Sequence, residues 1–217
     1  MLFKNNYLHF ILLILVTLLL TYEYNYFIQT DSVFVQNFSD KYTQEAINHI
    51  LDWRHAWSWI GYVFIPISKY ISTTIIALII SLVTWILYLN ELNPNIKFSD
   101  TWRIVLFAQW SSVTAMVTKI GWFGFIHTNF TLEELASFYP LSIINFFDIK
   151  NLDKLYVYPI QLINIFELVY WIILVVGIKS LLNSTWFKSF KIVFLSYGVT
   201  MIVWIIVVMF ILLNLSS

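Results

Sequence analysis

The sequence predicts an all-α protein, a polytopic membrane bundle of about five transmembrane helices. The composition, the length of the apolar stretches and the scarcity of charge within them all predict this fold class. Of the 217 residues, 60% are hydrophobic and 11% are charged, whereas soluble domains carry about 45–50% apolar and roughly 25% charged residues. The chain has too little polar surface to cover a water-soluble globule, so its excess apolar surface must face lipid.

A helix needs about 20 mostly apolar residues to cross a bilayer, because each residue adds about 1.5 Å and the hydrocarbon is about 30 Å thick. Five stretches meet this requirement, at residues 7–28, 70–90, 102–124, 156–178 and 192–214. No internal repeat, linker or low-complexity segment divides the chain. We therefore expect a single transmembrane domain over residues 1–217.

Three of the spans need a specific argument. Lys4 precedes the first span as in a signal peptide, but residues 21–23 (Thr-Tyr-Glu) lack a small-residue cleavage site, so we expect a retained anchor. The third span is free of charge only between Arg103 and Lys119, and we expect Lys119 to extend its amine toward the interface. The fourth span contains one charge, Glu167, near its middle.

The distribution of basic residues predicts the orientation. Six of them lie in short segments on one side: Lys4, Lys97, Arg103, Lys179, Lys188 and Lys191. The other six are spread over much longer loops: Lys41, Arg54, Lys69, Lys119, Lys150 and Lys154. Because basic residues are denser on the cytoplasmic side of a membrane protein, we expect a multi-pass protein of the cell inner (plasma) membrane. Its N-terminus would be cytoplasmic and its C-terminus outside.

Residues 40–56 form the first of two predicted amphipathic segments. Ser39 and Asp40 are candidate N-cap residues. Apolar side chains then follow at helical spacing: Tyr42, Ala46, Ile47, Ile50, Leu51 and Trp53. We expect this segment to rest on the outer membrane face.

Residues 131–147 form the second amphipathic segment. Glu133 and Glu134 follow Thr131, where acidic side chains favour the first turn of a helix. Pro140 is expected to end that helix. We expect this segment, too, to lie on the outer face.

Glu167 is the strongest candidate for a site residue. A carboxyl group at mid-span costs about 2.5–3.5 kcal/mol on insertion scales, so it normally faces the bundle interior with a partner. Gln161, Asn164 and Glu167 share one helical face by their spacing, and Gln109 lies on a polar stripe of the third span. We expect this intramembrane polar cluster to join helices by hydrogen bonds. A protonatable or ion-coordinating site in a permeation path is the alternative.

A second candidate lies in the first amphipathic segment, where Glu45, His49 and Asp52 share a helical face and His55 follows. Such side chains suit zinc or another divalent ion, but His55 lies well round the helix from Glu45. The chain has no cysteine, which excludes thiolate metal sites. We expect an ordinary solvated helix face, with no bound metal and no cofactor.

Motifs that would indicate an enzyme are absent from the sequence. It contains no H-E-x-x-H, no G-x-S-x-G and no P-loop.

The net charge is zero, without the clustered basic face of a nucleic-acid-binding protein. The expected partners are therefore the lipid bilayer and another membrane protein or a second copy of the chain, and not a nucleic acid.

Several short motifs follow one another in the second half of the chain. They are FSDTWR (98–103), AQWS (108–111), LINIFELVYW (162–171), VGIKSL (176–181) and SFK (189–191). Over about residues 98–205 this order resembles bacterial members of the Yip family of five-span membrane proteins. The resemblance implies a five-helix bundle without a cofactor. Glu167 stands where many relatives carry an apolar or hydroxyl residue.

These observations predict a non-enzymatic membrane protein that organises the membrane or takes part in assembly. One alternative is a small transporter or channel subunit that uses Glu167. Another is an interfacial lipid-modifying enzyme with its site near His49, Asp52 and His55. No sequence motif assigns a substrate to any of them.

Overall fold

The computed structural model is a bundle of α-helices joined by short connections. It describes residues 6–39, 41–87, 97–148 and 151–216. Five helical segments are long and apolar enough to cross a membrane: Tyr7–Ile28, Gln44–Leu87, Phe98–Ile126, Ile165–Leu182 and Trp186–Asn214. The predicted fold class is confirmed, and the chain is a multi-pass membrane protein.

Each span is built from one or more of the α-helices of the described residues. These are α1 (Asn6–Glu23), α2 (Asp31–Phe38), α3 (Gln44–Leu87), α4 (Phe98–Ala108), α5 (Trp110–Gly121), α6 (Leu132–Ser137), α7 (Lys154–Gln161), α8 (Ile165–Leu182), α9 (Trp186–Val193) and α10 (Val199–Ser216). Wider π-helical turns extend or join them at Tyr24–Ile28, Trp122–Ile126 and Phe194–Gly198. The first, third and last spans each contain one of these turns.

The second span differs from its prediction. The amphipathic segment at 40–56 and the span at 70–90 are parts of one helix, α3, with 44 residues and a length of about 66 Å. Pro66 lies inside this helix. Arg54 anchors its first part by donating to Asp31 Oδ1 (2.7 Å) and to the Gln29 carbonyl oxygen. The aromatic run before Pro66 is also helical, so no turn separates the two predicted segments.

Some sequence predictions fall on residues outside the described ranges. These are Lys4, the N-cap candidate Asp40, residues 88–90 of the second span and Lys150. The other N-cap candidate, Ser39, follows the end of α2. The start of α3 is instead capped by Thr43, whose Oγ1 accepts from the Ala46 N–H at 3.4 Å.

The fourth crossing is also different from its prediction. The continuous helix expected over residues 156–178 is interrupted at 162–164, between α7 and α8. The Asn164 side chain caps α8 by accepting from the Glu167 N–H at 2.8 Å. The unwound backbone is paired with the segment after Pro140, since Ile143 N–H donates to the Ile163 carbonyl (3.1 Å) and Ile165 N–H to the Leu141 carbonyl (3.3 Å).

The second amphipathic segment begins as predicted. Thr131 and Glu134 form a reciprocal capping box at the start of α6. The helix ends at Ser137, before Pro140, and a 3-10 turn follows at Ile143–Phe146. Between them Leu141 adopts the left-handed backbone conformation, with φ 52°, which turns the chain back toward α8.

Four crossings surround one apolar core, and the first span packs against α3, α4 and α5 from outside. The core consists of Ala77, Ile80, Val105, Ala108, Tyr170, Leu174, Val175, Ile178, Ile192 and Val193. Helices α2 and α6 meet at one end of the bundle, where Leu132 N–H donates to Asn37 Oδ1 at 3.1 Å. We call this end the loop face, and the opposite end, with the α8–α9 turn, the turn face.

Gly177 allows α8 to approach α4 closely. A Cβ atom at this position would lie 2.4 Å from Ile104 Cγ2 and 3.2 Å from Ile104 Cβ.

We expect Gly177→Ala to lower the free energy of unfolding by about 1–3 kcal/mol through overpacking, measured by denaturant titration in micelles. Gly61→Ala is the control, because a Cβ atom added at Gly61 would have no atom within 4 Å, and it should be stabilising by about 0.5–1 kcal/mol. Equal stability of the two variants would contradict this close approach.

Candidate functional site

A layer of polar side chains crosses the interior of the bundle at one depth. Lys69 Nζ donates to Ser112 Oγ at 3.1 Å, and the neighbouring Ser111 hydroxyl donates to the Phe166 carbonyl oxygen. One residue further along, Glu167 Oε1 accepts from the Tyr197 hydroxyl at 2.8 Å. These contacts place one residue of each of the four central crossings at the same level. We call the set the polar layer: Lys69, Gln109, Ser111, Ser112, Asn164, Glu167, Tyr170, Trp171 and Tyr197.

The polar layer coincides with irregular helix geometry. Gln109 stands at the junction of α4 and α5, the interruption at 162–164 precedes Glu167, and Tyr197 lies in the π-helical turn Phe194–Gly198. Ser111 is close to the middle of the third span, Phe98–Ile126. The third and last spans therefore depart from regular α-helix near their middles, and the fourth span, Ile165–Leu182, begins at the same level.

Glu167 lies in the first turn of α8 and not in the middle of a helix as predicted. Its Oε1 accepts two hydrogen bonds, from Tyr197 and from Trp171 Nε1 at 3.0 Å. Its backbone N–H is capped by Asn164. The N-terminus of a helix favours a carboxylate through its partial positive charge, so this position offsets part of the cost of burying the acid.

The four predicted members of the intramembrane cluster are held by different partners. Glu167 and Asn164 lie together, whereas Gln109 Oε1 accepts from Lys69 Nζ at 3.2 Å. Gln161 is turned toward α6, where its Nε2 donates to the Ser137 carbonyl at 2.6 Å. The predicted shared face requires an unbroken helix, and the interruption at 162–164 separates Gln161 from the other two.

Lys69 and Tyr197 are site residues that the sequence reasoning missed. The sequence prediction places Lys69 at the outer interface, ahead of the second span, but Lys69 contacts the middle of the third span. A signal is present in the sequence, since Lys69 is the single charged residue between positions 56 and 87. That run is too long for one bilayer crossing, so its central lysine could have been assigned to the interior.

Two hydroxyl groups at this level are buried without a hydrogen-bond partner within the described residues, Tyr170 Oη and Thr73 Oγ1. Thr73 lies one helical turn from Lys69 on α3, and the Tyr170 ring packs against Tyr197 with centroids 4.8 Å apart. Buried polar groups in proteins nearly always have a partner. The two hydroxyls are therefore exceptions to this rule, and both lie beside the polar layer.

A cavity of about 240 Å³ leads from the polar layer toward the loop face. It is lined by Tyr24, Ser112, Ala115, Met116, Lys119, Tyr139 and Pro140. Burial, the nearby Glu167 carboxyl and Tyr158 raise the pKa of Tyr139, so its hydroxyl remains protonated at neutral pH. On its other side the polar layer borders the apolar core. This core lies between the polar layer and the turn face.

The candidate metal ligands of the first amphipathic segment do not form a ligand set. Within the described ranges, no group of three or more His, Cys, Asp or Glu residues could hold a metal ion. Glu45, His49 and Asp52 are exposed on α3. His55 contacts Asp31, with its Nε2 3.1 Å from a carboxylate oxygen.

Comparison with known proteins gives no match, whether to protein-family models, to curated sequences or to solved structures. The resemblance to the Yip family therefore stays a prediction from the motifs.

The Tyr197–Glu167 hydrogen bond can be tested by a double-mutant cycle. We expect Tyr197→Phe to lower the free energy of unfolding by about 0.6–1.7 kcal/mol, the range for hydrogen bonds between membrane helices. In a Glu167→Leu background the same change should cost almost nothing, because the acceptor is already gone. Tyr7→Phe is the control, since that side chain is 80% exposed. Equal losses from Tyr197→Phe in both backgrounds would show that the two residues are not coupled.

Proposed function

We propose that this chain is a small transporter or channel subunit whose permeating or coupling ion is the proton. Glu167 is the proton-binding group. The observation that carries the proposal is the position of Glu167 at the start of α8, just after the break at 162–164 and at the level of the middle of the third span. In many transporters discontinuous helices build the substrate and ion sites near the midplane. Ionisable side chains at this depth are costly and commonly belong to proton or ion pathways.

The neighbours of Glu167 support a proton route. Tyr197 donates to its carboxyl group, and Tyr139, which lines the cavity of about 240 Å³, is near enough to that carboxyl for Glu167 to raise its pKa. Hydroxyl groups both donate and accept hydrogen bonds, so they can relay a proton from the loop face. The apolar core closes the route toward the turn face, and release on that side requires a second conformation of the bundle.

The membrane and the orientation belong to the same proposal. The density of basic residues favours a plasma (inner) membrane protein with a cytoplasmic N-terminus. In that orientation the loop face lies outside, and the cavity beside Tyr139 opens to the external medium. Protons would then enter the layer from outside.

Proton flux into liposomes tests this function. We expect liposomes containing the protein and internal pyranine to acidify faster than empty liposomes after an external pH drop. Glu167→Gln should reduce the added rate at least about tenfold, because the amide cannot take up a proton, while thermal stability stays near wild type. Glu45→Gln, at an exposed carboxyl group of α3, is the matched control and should keep the full rate. Wild-type flux from Glu167→Gln, or no flux above empty liposomes, would refute the proposal.

A second candidate function is a membrane-organising or assembly role. The specific observation that favours it is the first part of α3, from Gln44 to Arg54, which continues beyond the level of the first span. Trp53 is 63% exposed there, and tryptophan is enriched at protein interfaces. A partner, or a second copy of the chain, could pack against this projecting end.

Site-specific cross-linking in the native membrane tests the assembly role. A photoreactive phenylalanine at position 53 should give one discrete cross-linked product, identified by mass spectrometry, because a stable partner holds a fixed position. The same probe at Phe210, which is 66% exposed on the last span, should react with lipid only. Identical product patterns from the two positions would count against a docking end.

A further inference from the structure

A groove of about 700 Å³ runs along the loop-face half of the bundle. It lies between the third span, α6 and the segment that follows Pro140. Thr118, Trp122, Phe138, Leu141, Phe147 and Ile165 are among the residues that line it. Most of this surface is apolar, so the groove offers a binding site for a hydrocarbon chain.

The groove extends over the depth of one lipid leaflet. Ile165 lies next to Phe166, whose carbonyl group is in contact with the polar layer, and so marks the mid-membrane end. His127 and Glu134 line the other end, at the loop face. The ten residues from Thr118 to His127 are separated by nine helical steps, which cover about 13 Å at helical rise, close to half of the roughly 30 Å hydrocarbon thickness.

The end at the loop face combines two complementary polar groups. His127 Nε2 lies 3.9 Å from Glu134 Oε2, and both side chains are about half exposed. An imidazole donates through a ring N–H in either tautomer, whereas a carboxylate only accepts. The stacked rings of Trp122 and Phe138, with centroids 5.5 Å apart, form a wall beneath them.

We propose that this groove binds one phospholipid with a zwitterionic, ammonium-bearing head group, of the phosphatidylethanolamine type. An acyl chain lies along the wall between Thr118 and Ile165, the His127 N–H donates to the phosphate, and the ammonium group donates to Glu134. A net-anionic lipid would place its phosphate near the Glu134 carboxylate without an ammonium group to compensate. The groove is separate from the polar layer, so the inference does not depend on the proposed proton transport.

Lipid retention by the purified full-length protein tests the inference. Native mass spectrometry would follow titration with phosphatidylethanolamine and, separately, with phosphatidylglycerol. We expect one tightly retained phosphatidylethanolamine, bound about tenfold more tightly than phosphatidylglycerol, since a charge-assisted hydrogen bond supplies a difference of that order. Equal retention of the two lipids would overturn the proposal.

Three variants locate the lipid in the groove. Glu134→Gln should lose most of the preference while keeping the capping box, because glutamine serves equally well at that helix position. Glu133→Gln, the neighbouring exposed carboxyl group outside the groove lining, should behave as wild type. Thr118→Trp, at an exposed position, should fill the groove and remove the retained lipid. A Thr118→Trp protein that folds, as judged by thermal shift, and still retains the lipid with wild-type preference would place the lipid elsewhere.

Discussion

The rest of the structure depends on how the interruption of the fourth crossing satisfies its backbone. Hydrocarbon provides no hydrogen bonds, so irregular backbone at membrane depth persists only where protein groups supply the partners. Here Asn164 caps α8, and the segment after Pro140 pairs with Ile163 and Ile165. The Ser142 hydroxyl, which is buried, lies 3.2 Å from three carbonyl oxygens of the same region. With these partners, α8 can begin inside the membrane.

The position at which α8 begins determines where the carboxyl group of Glu167 lies. Beginning α8 at Ile165 puts Glu167 in a first turn, where the helix N-terminus favours a carboxylate and where Tyr197 and Trp171 can both donate to one oxygen. Lys69 reaches the same level from α3, on the opposite side of the third span. The polar layer therefore has one basic and one acidic group, each with its own hydrogen-bond partners, above an apolar core that Gly177 allows to pack closely.

The segment after Pro140 connects the two proposed activities of the bundle. Tyr139 and Pro140 line the cavity beside the polar layer, and Leu141, Ser142 and Phe147 line the lipid groove. Residues 139–147 therefore line both spaces, and Leu141 and Ser142 among them also pair with the backbone before α8. A lipid in the groove would contact Leu141 and Ser142, which pair with the backbone of Ile165 and Ile163 just before Glu167.

Composition and the length of the apolar runs determined that the chain is an all-α protein with five crossings, because these properties depend only on how many residues must face lipid. The first span, at residues 7–28, and the start of α6 with its acidic first turn were also predictable, since both rest on local sequence. Only the tertiary structure decided that α3 is continuous through Pro66, that the fourth crossing is interrupted at 162–164 and that Lys69 lies inside. The pattern of apolar residues is the same on both sides of the interruption at 162–164, so it does not reveal the break. The groups that pair with the interrupted backbone lie about 20 positions away in the chain, as Ser142 does from Ile163.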